Sequence, residues 1–237
     1  METTTVNRYF AGKSEKIAEQ YELFHTQAAA KVDVAAYLNR TPNHVYSEAP
    51  KWIKAKTPFT QWTGDVLASS KNAHLIGNHS SFDVAQYRDS PGRAGMSMIH
   101  ILGIPKENIF NGVSLDRSNV YLIDEMIACF RSSWTSPDFR RKVLLHQKKA
   151  IDNADKDADA YKIAMVHCQA LERMIDDLTV DDFTFGLHLW PDHSVGHLHM
   201  HIIATPPWCR QHSTFVHDDK TKDALEVRDY ILSRPEV

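Results

Sequence analysis

Residues 195–203 (VGHLHMHII) alternate between histidine and apolar side chains, and this alternation constrains the fold more than any other feature of the chain. In an extended strand, successive side chains point to opposite faces. Leu198, Met200 and Ile202 would therefore enter a hydrophobic core, while three imidazoles stand in a row on the other face. The pattern predicts a strand over 195–203 that is buried on at least one face.

Other segments show the same period of two and flank a long helical block. Strands are predicted at 73–79, at 97–104 ending before Pro105, and at 183–190. Helices are predicted over 14–39 with a stop at Thr41-Pro42, over 119–132, from Ser136-Pro137 onward, over 157–178, and over 219–232. Strands grouped around a helical block indicate an α+β fold with a mostly antiparallel sheet of about five strands.

The chain length of 237 residues fits one domain with extensions, or at most two domains. We expect an N-terminal helical extension and arm over 1–65, a central domain over 66–205 with a helical insertion at about 119–178, and a C-terminal tail over 206–237.

The composition excludes several classes of protein. A net charge of -3 argues against a broad nucleic-acid surface, although a single nucleotide needs only a few well-placed donors. The three cysteines are far apart and form no CxxC pair, and no run of eighteen apolar residues occurs. We therefore expect no membrane partner and a cytoplasmic location, with the nucleus as the alternative.

Three interpretations of the histidine row compete. The first is a solvated strand face that happens to be rich in histidine. The second is a metal site, but same-face residues lie about 6.7 Å apart, so the first and third rings are too distant to share a zinc ion. An HxH pair with a remote ligand stays open, and His74, His79, His193 and His212 are the candidates for that assembly.

The third interpretation is nucleophilic catalysis. An ordinary imidazole has a pKa of about 6.5 and is largely neutral at physiological pH. His199 has an imidazole on each side, so its neighbours can orient it and manage protons while it attacks phosphorus. We favour this interpretation.

The motif His197-Leu198-His199-Met200-His201-Ile202-Ile203 resembles the signature that names the histidine-triad (HIT) superfamily. The stretch from His100 to Pro105 is similar to a second strand of that family. The segment GLHLWP at 186–191 is similar to the aprataxin and scavenger decapping branch. The resemblance covers roughly residues 70–205.

This resemblance implies a HIT-like fold and nucleotidyl transfer from a phosphoanhydride, phosphoramidate or phosphate ester. His199 would attack the α-phosphorus, His197 and His201 would hold the phosphate and tune His199, and Ser194 would donate to a phosphoryl oxygen. Because His201 is retained where transferases of the family tend to have glutamine, the resemblance favours hydrolysis, with nucleotidyl transfer as the alternative. The resemblance requires no metal and no cofactor, and many relatives form homodimers.

For each of the remaining candidate residues, an ordinary structural role is an alternative to a role in the site. His100 lies among apolar neighbours and would ordinarily be a core residue, and His188 would be either a phosphate ligand or a solvated side chain. Asp89 is a candidate for the ribose hydroxyls but is more commonly a turn residue, and His193 replaces the glutamine of many relatives. Trp52 and Trp62 would stack on a base or anchor the arm, and Lys106 and Arg117 are candidate phosphate contacts.

Two alternatives to the hydrolase stay open. One is a zinc-dependent hydrolase that uses His197 and His199 with a remote ligand. The other, from a different class, is a nucleotide-binding regulator without turnover.

Overall fold

A computed structural model of the chain describes residues 6–41, 43–44, 59, 62–78, 81, 95–153, 158–211 and 213–235. Six strands form an antiparallel sheet in the order β1-β2-β3-β5-β4-β6. Their bounds are β1 (Ala68–Ser69), β2 (Ala73–Gly77), β3 (His100–Pro105), β4 (Phe183–His188), β5 (Met200–Ala204) and β6 (Thr221–Asp223). The α+β class and the antiparallel sheet are confirmed, and the two strands beyond the predicted ones are short edge strands.

The described residues also contain six α-helices. They are α1 (Ser14–Thr26), α2 (Ala28–Leu38), α3 (Tyr121–Trp134), α4 (Pro137–Asn153), α5 (Ala158–Met174) and α6 (Ala224–Ser233). The three central helices agree with the predicted helical block, and α4 begins at Pro137, where the fixed φ of proline suits the first helical turn.

One face of the sheet packs on the central helices and forms the main core. Phe183 of β4 lies against Phe130 and Trp134 of α3, with ring centroids 4.7 and 4.4 Å apart. Met200 and Ile202 of β5 are fully buried in the same cluster. The apolar half of the alternating pattern therefore enters the core as predicted.

The opposite face of the sheet carries the histidines. Directly opposed residues of antiparallel strands share a face, and His201 stands opposite Leu102 and Gly186. His100 of β3 and His188 of β4 fall on the same face by their register. This face is covered as well, because Phe10, Met96 and Ile203 form an apolar group there, and Phe59 and Trp62 pack on Ile76, Leu102 and Ile104.

The N-terminal segment differs from the single predicted helix. Gln27 has an extended backbone (φ -92°, ψ 134°), so the chain forms α1 and α2 instead of one helix over 14–39. In α2 the buried residues are Ala30, Asp33, Ala36 and Tyr37, whereas Val32 is 60% exposed. The helix predicted to stop at Thr41-Pro42 ends at Leu38, and Arg40 adopts a left-handed conformation (φ 51°).

Two predicted strands begin later than expected. β5 starts at Met200 rather than at residue 195, because the N–H of Leu198 bonds to the carbonyl of Ile109 at 2.7 Å, outside the sheet ladder. β3 starts at His100, since the N–H of Met98 bonds to the carbonyl of Cys209 instead of a neighbouring strand. His197 and His199 therefore stand in the loop that leads into β5.

The C-terminal segment is part of the sheet. Residues 221–223 pair with β4 as an edge strand, and α6 follows at once, capped by the Asp223 carboxylate, which accepts from the N–H groups of Leu225 and Glu226. The predicted C-terminal helix is confirmed, but it begins at Ala224 rather than at residue 219.

The predicted domain boundaries stay predictions. No helix among the described residues has the length and apolar character needed to span a membrane.

Candidate active site

Four histidines of the predicted set meet where β4 ends and where β3 and β5 begin. The ring of His201 lies 4.9 Å from that of His199, 4.2 Å from that of His188 and 5.1 Å from that of His100, measured between centroids. All four side chains are buried, with exposures of 9% or less. This burial contradicts a solvated strand face.

The backbone carbonyl of His197 holds the ring of His199 in one tautomer. The Nδ1 atom of His199 lies 2.9 Å from the carbonyl oxygen of His197. A carbonyl oxygen only accepts, so Nδ1 carries the proton, and Nε2 of the neutral ring presents a lone pair. Burial lowers the pKa of His199 below 6.5, and the nearby Lys220 ammonium acts in the same direction, whereas the bond to the His197 carbonyl opposes them. At neutral pH His199 is an uncharged imidazole.

A chain of hydrogen bonds also fixes the tautomer of His201. The side-chain amide of Asn78 donates to Nδ1 of His100 at 2.9 Å, and the N–H of Met96 donates to the same atom at 3.3 Å. The proton of His100 is therefore on Nε2, which donates to Nδ1 of His201 at 2.8 Å. It follows that His201 is protonated on Nε2.

The Nε2–H of His201 is a buried donor that has no hydrogen-bond partner among the described residues. A buried polar group without a partner is costly and calls for an explanation, such as an acceptor on a ligand. Burial lowers the pKa of His100 to about 3 and that of His201 well below 6.5, so both rings are neutral.

His188 is oriented by the C-terminal segment. The hydroxyl of Thr221 donates to the carbonyl of His217 at 2.6 Å, so its oxygen accepts from Nε2–H of His188 at 2.9 Å. Burial, reinforced by the Lys220 ammonium, holds the pKa of His188 well below 6.5. The edge strand β6 thus brings Thr221 to the histidine face.

His197 uses both ring nitrogens for bonds within the protein. Nε2 lies 3.0 Å from the carbonyl of Pro105, so it donates there, and Nδ1 accepts from the hydroxyl of Tyr37 at 2.8 Å. Burial lowers the pKa of His197 to about 4. The first histidine of the motif is therefore a neutral ring anchored between β3 and α2.

The other predicted site residues are distributed as follows. His193 is fully buried in the loop between β4 and β5, its ring 5.4 Å from that of Phe110, and burial lowers its pKa to about 3. Ser194 is half-buried in the same loop. Asp89 lies outside the described residues, as do Trp52, His79 and His212.

Of the remaining candidates, His74, Lys106 and Arg117 form their hydrogen bonds outside the cluster, whereas Trp62 packs near it. His74 bonds to the hydroxyl of Ser69 on the edge strand β1, and Lys106 donates to the carbonyls of Ser70 and Lys71. Arg117 donates to carbonyls at the end of α6. Trp62 packs on the sheet beside Phe59, which is itself 5.3 Å from the ring of His199.

Sequence reasoning missed several residues that contact or influence the histidines, among them Tyr37, Asn78, Lys220 and Thr221. Lys220 is half-buried, and its ammonium has no hydrogen bond or ion pair with any residue that the structure describes. Burial lowers its pKa, which the nearby Asp192 carboxylate partly offsets. The only sequence signal was in α2, where Asp33 and Tyr37 interrupt a run of alanine and valine at a spacing of one helical turn.

Concave surface alone does not identify this site. A cleft of about 500 Å³ is lined by Tyr21, Arg117 and Arg234, and one of about 280 Å³ by Asp65, His146 and Lys149. Neither cleft contains a histidine of the cluster. The site is distinguished by its chemistry: the buried neutral ring of His199, and the Nε2–H of His201 and the ammonium of Lys220, neither of which has a hydrogen-bond partner among the described residues.

The chain matches no model of a known protein family and no curated protein. Within the described ranges, no group of three histidine, cysteine or acidic side chains is arranged to hold a metal ion.

Proposed function

We propose that the chain is a HIT-type nucleotide hydrolase that cleaves a nucleoside phosphate conjugate through a covalent intermediate on His199. The observation that carries the proposal is the bond from Nδ1–H of His199 to the His197 carbonyl, which leaves Nε2 as a lone pair on a neutral ring. The resemblance of residues 197–203 to the HIT signature supports the same chemistry.

In the first step, Nε2 of His199 attacks the α-phosphorus. A P–N bond forms, the bond from phosphorus to the leaving group breaks, and the leaving group departs with the electron pair. The Nδ1–H stays bonded to the His197 carbonyl, which stabilises the positive charge that develops on the ring. Water then attacks phosphorus, the P–N bond breaks, the electron pair returns to Nε2, and the proton of the water passes to solvent.

His201 has a different task from His199. Its Nε2–H is fixed in place by His100 and is ready to donate to a phosphoryl oxygen. Because the ring is neutral, it donates a hydrogen bond but no proton. This arrangement favours leaving groups that are stable as anions, such as the phosphates released from a phosphoanhydride.

Lys220 supplies the positive charge that this substrate needs. Its half-buried ammonium lies close enough to lower the pKa values of His199, His188 and His193. A partly desolvated cation favours an anion strongly. We assign Lys220 to the phosphates of the substrate, a role that the sequence analysis had given to Lys106 and Arg117.

The bonds of His197 give it a positioning role instead of the predicted phosphate contact. They also weigh against the zinc-dependent alternative. A zinc ligand must offer a nitrogen lone pair, but Nε2 of His197 is protonated toward Pro105 and Nδ1 accepts from Tyr37.

The test is nucleotide release from adenosine phosphoramidate, dinucleoside polyphosphates and cap analogues. We expect His199→Asn to lower kcat at least about a thousandfold, whereas His25→Asn, at an exposed position, serves as the matched control. Full activity in His199→Asn would overturn the proposal. Nucleotide binding by the native chain without turnover on any of these substrates would indicate the regulator instead, and activity lost to a chelator would indicate the zinc enzyme.

A further inference from the structure

Helix α2 carries two buried polar residues on one side. Asp33 is fully buried and Tyr37 is 3% exposed, in a helix that otherwise consists of alanine, valine, lysine and leucine. The two residues are four apart, so their side chains emerge from the same face, one helical turn from each other. Val32 points to solvent on another side.

These two side chains bond to the two ends of one loop. The carboxylate of Asp33 accepts from the indole N–H of Trp190 at 3.0 Å, and the hydroxyl of Tyr37 donates to Nδ1 of His197 at 2.8 Å. Trp190 follows β4, and His197 precedes β5 by three residues. A single turn of α2 therefore spans the start and the end of the 190–197 loop.

The loop end held by Tyr37 is the one that sets the tautomer of His199. The acceptor for Nδ1–H of His199 is the backbone carbonyl of His197, the residue whose ring Tyr37 holds. A shift of His197 would move this acceptor away from His199. Without the bond from Nδ1–H to that carbonyl, the His199 ring could rotate or change tautomer, and its Nε2 lone pair would lose its fixed direction.

We propose that α2 is a clamp for the catalytic loop, with Tyr37 and Asp33 as positioning residues; this inference rests on the proposed function. The N-terminal extension is then an integral part of the active site. His44 adds a second contact, because its Nε2 lies 2.8 Å from the Asp33 carboxylate on the side away from Trp190 Nε1. Each oxygen of Asp33 thus has its own partner.

The first test compares Tyr37→Phe with Tyr21→Phe. Tyr21 is also a buried tyrosine of the N-terminal extension, and its hydroxyl donates to the carbonyl of Leu115, outside the loop. We expect Tyr37→Phe to lower kcat about tenfold to a hundredfold with little change in KM, because the nucleophile is misplaced while the substrate contacts remain. Tyr21→Phe is expected to leave kcat unchanged. Equal kcat values for the two variants would overturn the clamp.

The second test is independent of activity. Nitrogen-15 NMR of the imidazoles reports the tautomer, and we expect the Nδ1–H form of His199 to dominate in the native chain and to lose population in Tyr37→Phe. Hydrogen exchange should accelerate at the amides of residues 192–197 in that variant but not in Tyr21→Phe. Unchanged tautomer and unchanged exchange would overturn the clamp even if the chain hydrolyses no nucleotide. If the native chain hydrolyses no nucleotide but Tyr37→Phe changes both the His199 tautomer and the hydrogen exchange, only the hydrolase proposal is refuted.

Asp33 gives a third comparison if Tyr37→Phe unfolds. Asp33→Asn keeps an oxygen that accepts from Trp190, whereas Asp33→Leu removes it. We expect Asp33→Asn to retain most of kcat and Asp33→Leu to lose about tenfold or more. Equal losses in the two variants would mean that the bond to Trp190 does not position the loop.

Discussion

The Nε2 atom of His100 lies 2.8 Å from the Nδ1 atom of His201, and this bond joins the first residue of β3 to β5. Because Asn78 and Met96 donate to the other nitrogen of His100, the protons along this chain can be arranged in only one way while both rings are neutral. The result is a fixed donor on His201 beside a fixed lone pair on His199.

The acid limb of the pH–rate profile should lie below pH 6.5. Burial lowers the pKa of His199, so its Nε2 lone pair persists at pH values where an exposed imidazole would be protonated. As the pH falls through the lowered pKa, the ring gains a proton and kcat/KM declines. The measurement is kcat/KM of the native chain from pH 4 to pH 9, which reports groups of the free enzyme. An acid limb above pH 7 would contradict the assignment.

Lys220→Met should weaken the binding of anionic substrates. Loss of one charge-assisted hydrogen bond to phosphate is expected to raise KM about tenfold to a hundredfold. Lys106→Met is the control, because the Lys106 ammonium bonds to carbonyls of Ser70 and Lys71 and stands apart from the histidine cluster. Steady-state kinetics on a dinucleoside polyphosphate separates the two. A larger effect at Lys106 than at Lys220 would show that the phosphates lie elsewhere.

Stability should fall as the pH drops below 6.5. The pKa values of His100 and His193 are about 3 and that of His197 is about 4, all lowered by burial, whereas the unfolded chain titrates near 6.5. Between these values the unfolded state binds more protons, so the free energy of unfolding decreases with falling pH, by up to about 1.4 kcal/mol per pH unit for each histidine.

Urea unfolding at a series of pH values checks this dependence. Between pH 6.5 and pH 4, His193→Leu should reduce the slope of the unfolding free energy against pH by the equivalent of up to one bound proton. The exposed position His25 supplies the control, His25→Gln. Stability that is flat over this range would mean that the buried histidines are not neutral in the folded chain.

Gly186→Ala should destabilise the fold and disturb the site. A Cβ at this position would lie 2.3 Å from Cγ2 of Thr221 and 3.0 Å from the ring of Phe10. β6 would have to move away from β4, which would disturb the bond between Thr221 and His188. We expect a loss of about 1–3 kcal/mol in the free energy of unfolding, measured by urea titration. An unchanged stability would show that β6 packs less closely than described.

The predictable part of the fold came from local periodicity. The alternation around Met200 and Ile202 indicated a strand with one face in the core, and Pro137 marked the start of α4. The helix break at Gln27 was missed because the apolar spacing continues across it, and nothing in that spacing signals an extended residue. β6 was missed because three residues are too few to show a period of two.

The histidines of the candidate site were predictable from the sequence, but their hydrogen-bond partners were not. The histidine motif identified His197, His199 and His201, and register then brought His100 and His188 to the same face. The partners that fix their protons come from distant parts of the chain: Tyr37 from α2 and Thr221 from the C-terminal edge strand. Such contacts depend on tertiary packing, which local sequence patterns do not encode.

The central claim is that Nε2 of His199 bonds covalently to phosphorus. The most direct measurement is intact-protein mass spectrometry after rapid acid-free quenching of the native chain with an adenylated substrate. We predict a mass increase of one adenylyl group (adenosine monophosphate less one water), located by peptide fragmentation on His199 and missing in His199→Asn. Full nucleotide release with no adduct at any quench time, or an adduct on another residue, would contradict the account.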